Sequence, residues 1–296
     1  MPDIAFLFCS DYFDKAQPDI DYAEEYHHAK NLGIPAHLFC LETFLESNKL
    51  RIAHADKPVT LIYRGWMVTH EQYTALYDSL LAKGFTLINT PEQYRQCHHL
   101  PYWYGLLVKH TAKSLWTQGV PSEAETIQLL MSFGDRPLIV KDYVKSRKHE
   151  WEEACFIPNA SDTDDAAQVI DSFLERQGDD LAGGIVLREY LSLKMLGSHK
   201  KSHMPIAKEV RIFCIYHQPF AYIQYWSGEE SRAHSEYQSL ISACRGLDSN
   251  FYTIDLAQQE NGEWIIIEVG DGQVSGLQDY NVALFYSALL NANTNK

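Results

Sequence analysis

The first third of the chain alternates short apolar runs, rich in β-branched and aromatic residues, with longer runs rich in helix-forming residues. The pattern predicts strands at residues 4–9, 36–41, 59–66 and 85–89, and helices at residues 22–32, 71–82 and 101–118. Gly33 and Gly84 close the first two helices, as glycine commonly does. This βαβ rhythm predicts a small parallel sheet covered by helices.

From Gly119 onward the pattern changes, and paired strands replace the βαβ alternation. Ser122 precedes a run of helix formers and predicts a helix N-terminus there. Further strands are predicted at residues 137–143, 154–158 and 184–191, a helix at 166–177, hairpins at 209–226 and 251–269, and a last helix at 279–290. The sequence therefore predicts an α/β fold followed by an α+β fold.

The composition is that of an ordinary globular protein, with 296 residues, 46% of them hydrophobic and 22% charged. This length allows two or three compact units. No apolar run approaches the roughly 18 residues of a membrane span, so no membrane partner is expected. The first residues indicate a strand and not a signal peptide. The six cysteines are scattered without a CxxC pair, which favours reduced thiols in a cytoplasmic protein.

Charge is distributed unevenly along this acidic chain. The formal net charge of −14 argues against a nucleic-acid partner. Against that background the window KDYVKSRKH concentrates basic side chains, namely Lys141, Lys145, Arg147, Lys148 and His149. Such a cluster is either a solvated basic face or part of a phosphate site, and only a phosphate-binding context favours the second interpretation.

Acidic residues interrupt the apolar strands of the last predicted hairpin. The Asn-Gly pair at 261–262 is the sequence typical of a two-residue type I′ turn. With that turn, Leu256 would face Ile267 and Asp255 would face Glu268. Directly opposed residues have Cβ atoms about 5 Å apart, where like charges repel.

These opposed acids, with Asp271 three residues further on, predict a metal site. The cluster would be unfavourable when empty. Mg²⁺ would reverse that effect, because it binds one or two carboxylates together with phosphate oxygens. The alternative is that one acid faces solvent and that Asp271 only shapes a turn.

Magnesium suggests a phosphate ligand, and two basic residues are candidates to bind it. Lys141 follows directly on an apolar strand, where its point charge can meet a nucleotide phosphate. Arg211 lies inside another apolar strand. Alone it would more often be a paired structural charge, but beside a metal site it becomes a candidate to stabilise a transferring phosphoryl group.

In order and spacing, residues 121–296 resemble the ATP-grasp superfamily, which holds ATP between two lobes built on antiparallel sheets. The resemblance implies ATP and Mg²⁺ as cofactors. It implies a phosphate-binding lysine at Lys141 in LIVKD, an adenine-binding segment at Glu189, Tyr190 and Leu191 in VLREYL, ribose and γ-phosphate contacts at Glu209 and Arg211 in KEVRIF, and magnesium ligands at Asp255, Glu268 and Asp271.

The resemblance also implies a division into units. Residues 1–118 are similar to the small α/β domain that precedes the grasp in such ligases, and residues 119–195 and 196–296 would form the two lobes. Arg64 and the segment 89–104 look like the lip that faces the substrate, although Arg64 is equally consistent with a structural ion pair. Relatives often form homodimers through the first domain.

This sequence departs from the family pattern at two positions. The glycine-rich phosphate loop after Lys141 is missing, so we expect Lys145 to replace backbone amides by side-chain charge, while Arg147 and Lys148 are solvated. Aspartate at Asp271 stands where the family has a final asparagine.

The family's usual reaction activates a carboxylate as an acyl phosphate, which an amine then attacks. The resemblance therefore implies an ATP- and magnesium-dependent ligase that joins a carboxylate to an amine, on a small-molecule or peptide substrate. Two alternatives stay open: a phosphotransferase acting on a small acceptor, and a nucleotide-binding regulatory module without turnover. A complete set of metal-binding acids argues against the regulatory module.

Overall fold

The computed structural model describes residues 3–198 and 205–294. Its N-terminal part is a parallel sheet in the order β2-β1-β3-β4. The strands are β1 (Asp3–Cys9), β2 (Ala36–Phe39), β3 (Val59–Arg64) and β4 (Phe85–Leu87). The helices are α1 (Ala23–Asn31), α2 (Leu41–Ser47), α3 (His70–Leu81), α4 (Pro91–His98) and α5 (Leu100–Leu107). The predicted βαβ unit is confirmed.

A second sheet, in the order β5-β8-β6-β7, is antiparallel. Its strands are β5 (Ser114–Trp116), β6 (Leu138–Asp142), β7 (Phe156–Ile157) and β8 (Ile185–Glu189), with helices α6 (Glu123–Met131), α7 (Trp151–Ala154) and α8 (Thr163–Gln177). Ser122 caps α6 in a reciprocal capping box with Glu125, as its position predicts.

One helix prediction in this region is wrong. Residues 101–118 do not form a single helix, because α5 ends at Leu107 and residues 114–116 form a strand paired with β8. The pairing is a long-range contact that the local pattern does not contain, and it overrides helix propensity.

The third sheet, in the order β12-β11-β13-β14, is also antiparallel. It comprises β11 (Glu209–Ile215), β12 (Gln218–Gln224), β13 (Phe251–Gln258) and β14 (Trp264–Asp271); β9 (Met195–Ser198) and β10 (Pro205–Ala207) form a separate ribbon, and α9 (His234–Ala243) and α10 (Val282–Thr294) complete the fold. The α/β plus α+β prediction is confirmed.

The N-terminal sheet and the third sheet share one core. Phe6 and Ile62 from the N-terminal sheet pack in the same buried cluster as Phe213 from the third sheet and Phe285 from α10. The third sheet therefore packs directly against the parallel unit. None of the helices in the described ranges combines the length and the apolar composition that a membrane crossing requires.

Candidate functional site

All ten residues singled out in the sequence line one cavity of about 510 Å³ between the two antiparallel sheets. They are Lys141, Lys145, Glu189, Tyr190, Leu191, Glu209, Arg211, Asp255, Glu268 and Asp271. Cavities of several hundred Å³ are typical of small-molecule sites. Residues that are more than 100 positions apart in the sequence therefore line the same cavity.

Lys141 provides the cation that compensates Glu268. It is the penultimate residue of β6, and its Nζ lies 3.6 Å from Glu268 Oε1 while donating a hydrogen bond to the carbonyl of Val144 at 3.0 Å. Burial lowers the pKa of Lys141, and the Glu268 carboxylate opposes that shift. The ammonium group is therefore held in place at the end of a strand. An anion that enters the cleft would displace few of its contacts.

The predicted pairing of Asp255 with Glu268 is confirmed. The turn that produces it differs from the prediction, because the strands connect through residues 260–262, with the amide of Gln259 donating to the carbonyl of Glu263 at 2.8 Å. This loop is one residue longer than a type I′ turn, and Gly262 supplies the left-handed conformation it needs, with φ of 91°.

A β-bulge corrects the resulting one-residue shift. Leu256 pairs with Ile266 and not with Ile267, and the register then moves between Leu256 and Asp255 so that Asp255 again faces Glu268. Bulges of this kind are common beside active sites, where they re-aim a side chain. Two deviations from the simple hairpin thus cancel at the position of the acids.

Arg211 holds Asp255 through a two-pronged ion pair. Its Nε and Nη2 donate to the Asp255 carboxylate at 2.9 and 2.7 Å, and Nη1 donates to the carbonyl of Gly276 at 3.1 Å. The guanidinium also lies over the ring of Tyr225, 4.9 Å from its centroid. Burial would lower the pKa of Arg211, but Asp255 outweighs it and raises the pKa. Arg211 is therefore charged and fixed in orientation.

Neighbouring cations compensate the acids of the cleft, contrary to the repulsion expected from the sequence. Burial would raise the pKa of Glu268, yet Lys141, Lys148 and Arg211 together lower it. Glu209 shows the opposite balance, since burial dominates and raises its pKa to about 7. The cations next to Glu268 therefore outweigh the effect of desolvation on its carboxylate, and they are also available to an anionic ligand.

Two of the cations beside Glu268 were missed by the sequence interpretation. Lys148 is exposed, as expected, but it also lines the cleft, and Glu209 and Glu268 raise its pKa against the effect of desolvation. Arg188 is buried between the sheets, donating to Thr111 Oγ1 at 2.8 Å and to the Ile267 carbonyl at 3.1 Å. Arg188, like Arg211, is a charged residue inside an apolar strand, so the same sequence signal could have identified it.

An aspartate organises the loop that stands in place of a glycine-rich one. The Asp142 carboxylate accepts hydrogen bonds from the amides of Val144 and Lys145, at 2.7 and 2.5 Å, and from Gln177 Nε2 at 3.0 Å. The turn leaves the Lys145 side chain exposed at the mouth of the cleft. Arg147, expected to be solvated, instead pairs with Glu150.

The predicted adenine-binding segment forms one wall of the cleft. Tyr190 meets the rings of Trp151 and Phe156 edge-on, with centroids 5.8 and 5.1 Å away. Glu189 pairs with Arg136 at 3.5 Å, and Leu191 lies next to them along the chain. This wall combines apolar surface with a carboxylate, which together could pack against and hydrogen-bond a nucleobase.

Asp271 is not gathered into one cluster with the other two acids. Strand side chains alternate in direction, and an odd separation of three residues puts Asp271 and Glu268 on opposite faces of β14. The Asp271 carboxylate instead accepts from Asn89 Nδ2 at 2.6 Å and from the amide and Nε2 of Gln273 at 2.9 and 3.2 Å. These bonds tie β14 to the N-terminal unit and favour a structural role.

The donor set fits Mg²⁺ only together with a phosphate ligand. Among residues 3–198 and 205–294 there is no group of three or more His, Cys, Asp or Glu side chains able to hold a metal. The facing Asp255 and Glu268 provide the one or two carboxylates that Mg²⁺ usually takes, and the ion fills its other positions with water and phosphate oxygens. Asp255 and Glu268 are therefore the candidate magnesium ligands.

Asp271→Asn is expected to destabilise the protein at low pH without removing its magnesium-dependent response to ADP. The Asn89 and Gln273 partners of the carboxylate are donors, and the new amide group would face them. Burial, only partly opposed by those hydrogen bonds, raises the pKa of Asp271 to about 7, whereas the unfolded value is about 3.9. A raised pKa contributes stability that is complete at low pH and is lost as the pH rises through that value.

The unfolding free energy of the wild type minus that of Asp271→Asn should therefore fall by up to about 1.4 kcal/mol per pH unit between about pH 4 and about pH 7. Urea unfolding across this range measures the difference, and melting curves with MgADP measure the ligand response. A folded variant that no longer responds to MgADP would make Asp271 a metal ligand after all.

Comparisons with known proteins agree with this geometry. A family model described as ATP-grasp domain, R-two-K clade family 3, matches residues 132–289, more than half of the chain. Comparison with curated protein sequences found no match. Among solved structures, D-cycloserine synthetase DcsG is similar at 13% identity, with a TM-score of 0.62 over 99% of this chain and 100% of that one.

Two further structures are similar over nearly their whole length. The ATP-grasp ligase PsnB, solved with a minimal precursor, Mg and ADP, has 12% identity and a TM-score of 0.58, over 99% of this chain and 98% of that one. The macrocyclase MdnC from Microcystis aeruginosa, bound to precursor peptide MdnA, has 11% identity and a TM-score of 0.54, over 97% and 99%. At these sequence identities the structural similarity establishes the fold alone. The match to the family model shows in addition that the chain belongs to family 3 of the R-two-K clade of ATP-grasp proteins.

Proposed function

We propose that this protein is an ATP- and magnesium-dependent ligase that joins a carboxylate to an amine through an acyl phosphate. The observation that carries the proposal is the convergence of the ten predicted residues on one cavity between two antiparallel sheets. Membership of the ATP-grasp family supports the use of ATP. No side chain in the cleft is required as a covalent nucleophile, because this chemistry depends on positioning and charge neutralisation.

Each part of the cleft has a role in this reaction. The Tyr190 wall holds the adenine, Glu209 lies where the ribose would bind, and Lys141 and Lys145 bind the phosphates. Asp255 and Glu268 would hold Mg²⁺, which neutralises charge on the reacting phosphate groups. The ion pair with Asp255 fixes the orientation of Arg211. The N–H groups of Arg211 that this pair leaves unused would donate to the phosphoryl group as it is transferred.

The bonds exchanged follow from the reactants. A substrate carboxylate oxygen bonds to the γ-phosphorus as ADP leaves, and the amine nitrogen then bonds to the acyl carbon as inorganic phosphate leaves and the nitrogen loses a proton. Among similar folds, PsnB and MdnC are solved with precursor peptides, and DcsG is a D-cycloserine synthetase. We accordingly propose an amino acid or a peptide as the substrate.

MgADP should raise the melting temperature well above that of a sample with ADP and a chelator. The two carboxylates require a phosphate partner to complete a magnesium site, so metal and nucleotide should stabilise the protein together. A ligand at about 100 times its dissociation constant adds about 2.7 kcal/mol to the unfolding free energy. The absence of any shift with adenine nucleotides would remove the proposed function.

Product analysis separates ligase from phosphotransferase. Release of both ADP and inorganic phosphate, dependent on an amine and with formation of an amide, is expected for the ligase. ADP release with phosphate retained on the acceptor would indicate phosphotransfer, and nucleotide binding with no release over pools of amino acids and short peptides would indicate a regulatory module.

A further inference from the structure

A second, larger cavity of about 2080 Å³ runs between the N-terminal unit and the first antiparallel sheet. It shares Met67, His98, Val144, Lys145 and Ser146 with the nucleotide cleft. The groove and the nucleotide cleft therefore meet at Lys145, one of the two lysines that we assign to the phosphates. A molecule lying in this groove would reach the reacting end of a bound nucleotide.

The far part of the groove contains polar atoms that lack partners. Arg95 Nε and His70 Nδ1 are buried and have no hydrogen-bond partner in the described part of the chain. Both residues line the groove. Arg95 Nε is a donor, and His70 Nδ1 donates or accepts according to the tautomer. A buried polar atom left unpaired costs about 1–3 kcal/mol, so both atoms are available to a group of a bound ligand.

Arg95 is held in place without being neutralised. Its guanidinium carbon lies 4.7 Å from the centroid of the Tyr102 ring, a cation–π contact that fixes its orientation. Glu71 also lines this part of the groove, but no ion pair joins it to Arg95 within residues 3–198 and 205–294. Burial, together with the proximity of His70 and Arg95, lowers the pKa of His99 to about 4, although Glu71 opposes the shift. His99 is thus neutral near pH 7, and Arg95 carries the positive charge.

We propose that Arg95, assisted by His70, binds a carboxylate of the substrate in this groove. Arginine presents paired donors that match a carboxylate, which a lysine would not do as specifically. Arg95 lines the groove and not the nucleotide cleft, so we assign to it a second carboxylate, distinct from the one that is phosphorylated near Lys145. The substrate is therefore an acidic amino acid or a short acidic peptide. This inference rests on the proposed function and specifies its substrate class.

The test compares probes that differ by one carboxylate. The protein, saturated with magnesium and a non-hydrolysable ATP analogue, is titrated calorimetrically with L-glutamate, L-glutamine, and the dipeptides Ala-Glu and Ala-Gln. In the wild type, the acid of at least one pair should bind at least about tenfold more tightly than its amide, which corresponds to ~1.4 kcal/mol. In Arg95→Gln this preference should disappear, and in Arg95→Lys it should be reduced.

Arg245→Gln is the matched control, because Arg245 is exposed and lies outside both cavities. It should keep the wild-type preference. The melting shift with MgADP verifies that Arg95→Gln is folded, and Arg95→Lys serves in its place should that variant fail to fold. Equal binding of acid and amide, no binding of any probe, or a preference that survives the loss of Arg95 would overturn the inference.

These outcomes are distinguishable from failure of the proposed function. If the protein prefers acids in a way that depends on Arg95 but releases no ADP from ATP, the carboxylate site is supported and the ligase function is contradicted. Amide formation on probes without a second carboxylate, unaffected by Arg95→Gln, would keep the ligase and reject the carboxylate site.

Discussion

Replacing Lys141 by Met should weaken ADP binding by about tenfold to a hundredfold, with magnesium or without it. The Nζ of Lys141 is fixed by the Val144 carbonyl and by Glu268, so the ammonium is already positioned when the nucleotide arrives. A hydrogen bond to a charged group contributes about 1.5–3 kcal/mol, which gives this range. Methionine keeps the apolar stem and removes only the charge. Calorimetric titration with ADP measures the loss.

Two lysine variants make the result specific. Lys109→Met, at an exposed position outside both cavities, should bind ADP like the wild type. Lys145→Met should lose more turnover than ADP affinity, because Lys145 lies on an exposed turn and its contact would form with the reacting end of the nucleotide. Wild-type ADP affinity in Lys141→Met would contradict the assignment of the phosphate site.

The order of the elements could be predicted because each depends on local pattern. The βαβ unit, the cap at Ser122 and the two C-terminal hairpins are specified by residues close together in sequence. Residues 114–116 could not be predicted as a strand, since their structure depends on pairing with β8, far along the chain. The shared core of Phe6 and Phe285 is likewise a tertiary contact that no local window contains.

The site shows the same division between local and tertiary information. The sequence predicted that Asp255 faces Glu268. The longer turn shifts the strand register by one residue, and the β-bulge shifts it back, so that the prediction holds. The separate position of Asp271 follows from strand alternation, which the sequence already contained. The partners of these acids could not be read from the sequence: the bonds from Asn89 to Asp271 and from Lys141 to Glu268 join distant segments.

Glu268→Gln should lower turnover by at least about a hundredfold, which corresponds to about 2.7 kcal/mol in activation free energy. The substitution keeps the shape of the side chain and removes one of the two carboxylates proposed to hold Mg²⁺. ADP binding in the presence of a chelator should be retained, because Lys141, Lys145 and Arg211 remain. The additional stabilisation that magnesium gives to the ADP complex should be lost.

The same variant tests the electrostatics of the empty cleft. Since the surrounding cations lower the pKa of Glu268 in spite of its burial, its charge contributes stability above the ordinary glutamate pKa of about 4.3, and that contribution is lost as the pH falls through the lowered value. Glu268→Gln should therefore destabilise the nucleotide-free protein near pH 7. Relief of repulsion with Asp255 would have predicted the opposite sign.

Glu260→Gln is the matched control, because Glu260 lies exposed in the turn of the same hairpin. It should leave turnover, the magnesium response and stability unchanged. Urea unfolding without nucleotide, set beside the rate of ADP release with MgATP, separates the two effects of Glu268. Full turnover in Glu268→Gln would show that the carboxylate pair is not the metal site. Increased stability of the empty variant would show that repulsion from Asp255 outweighs Lys141, Lys148 and Arg211.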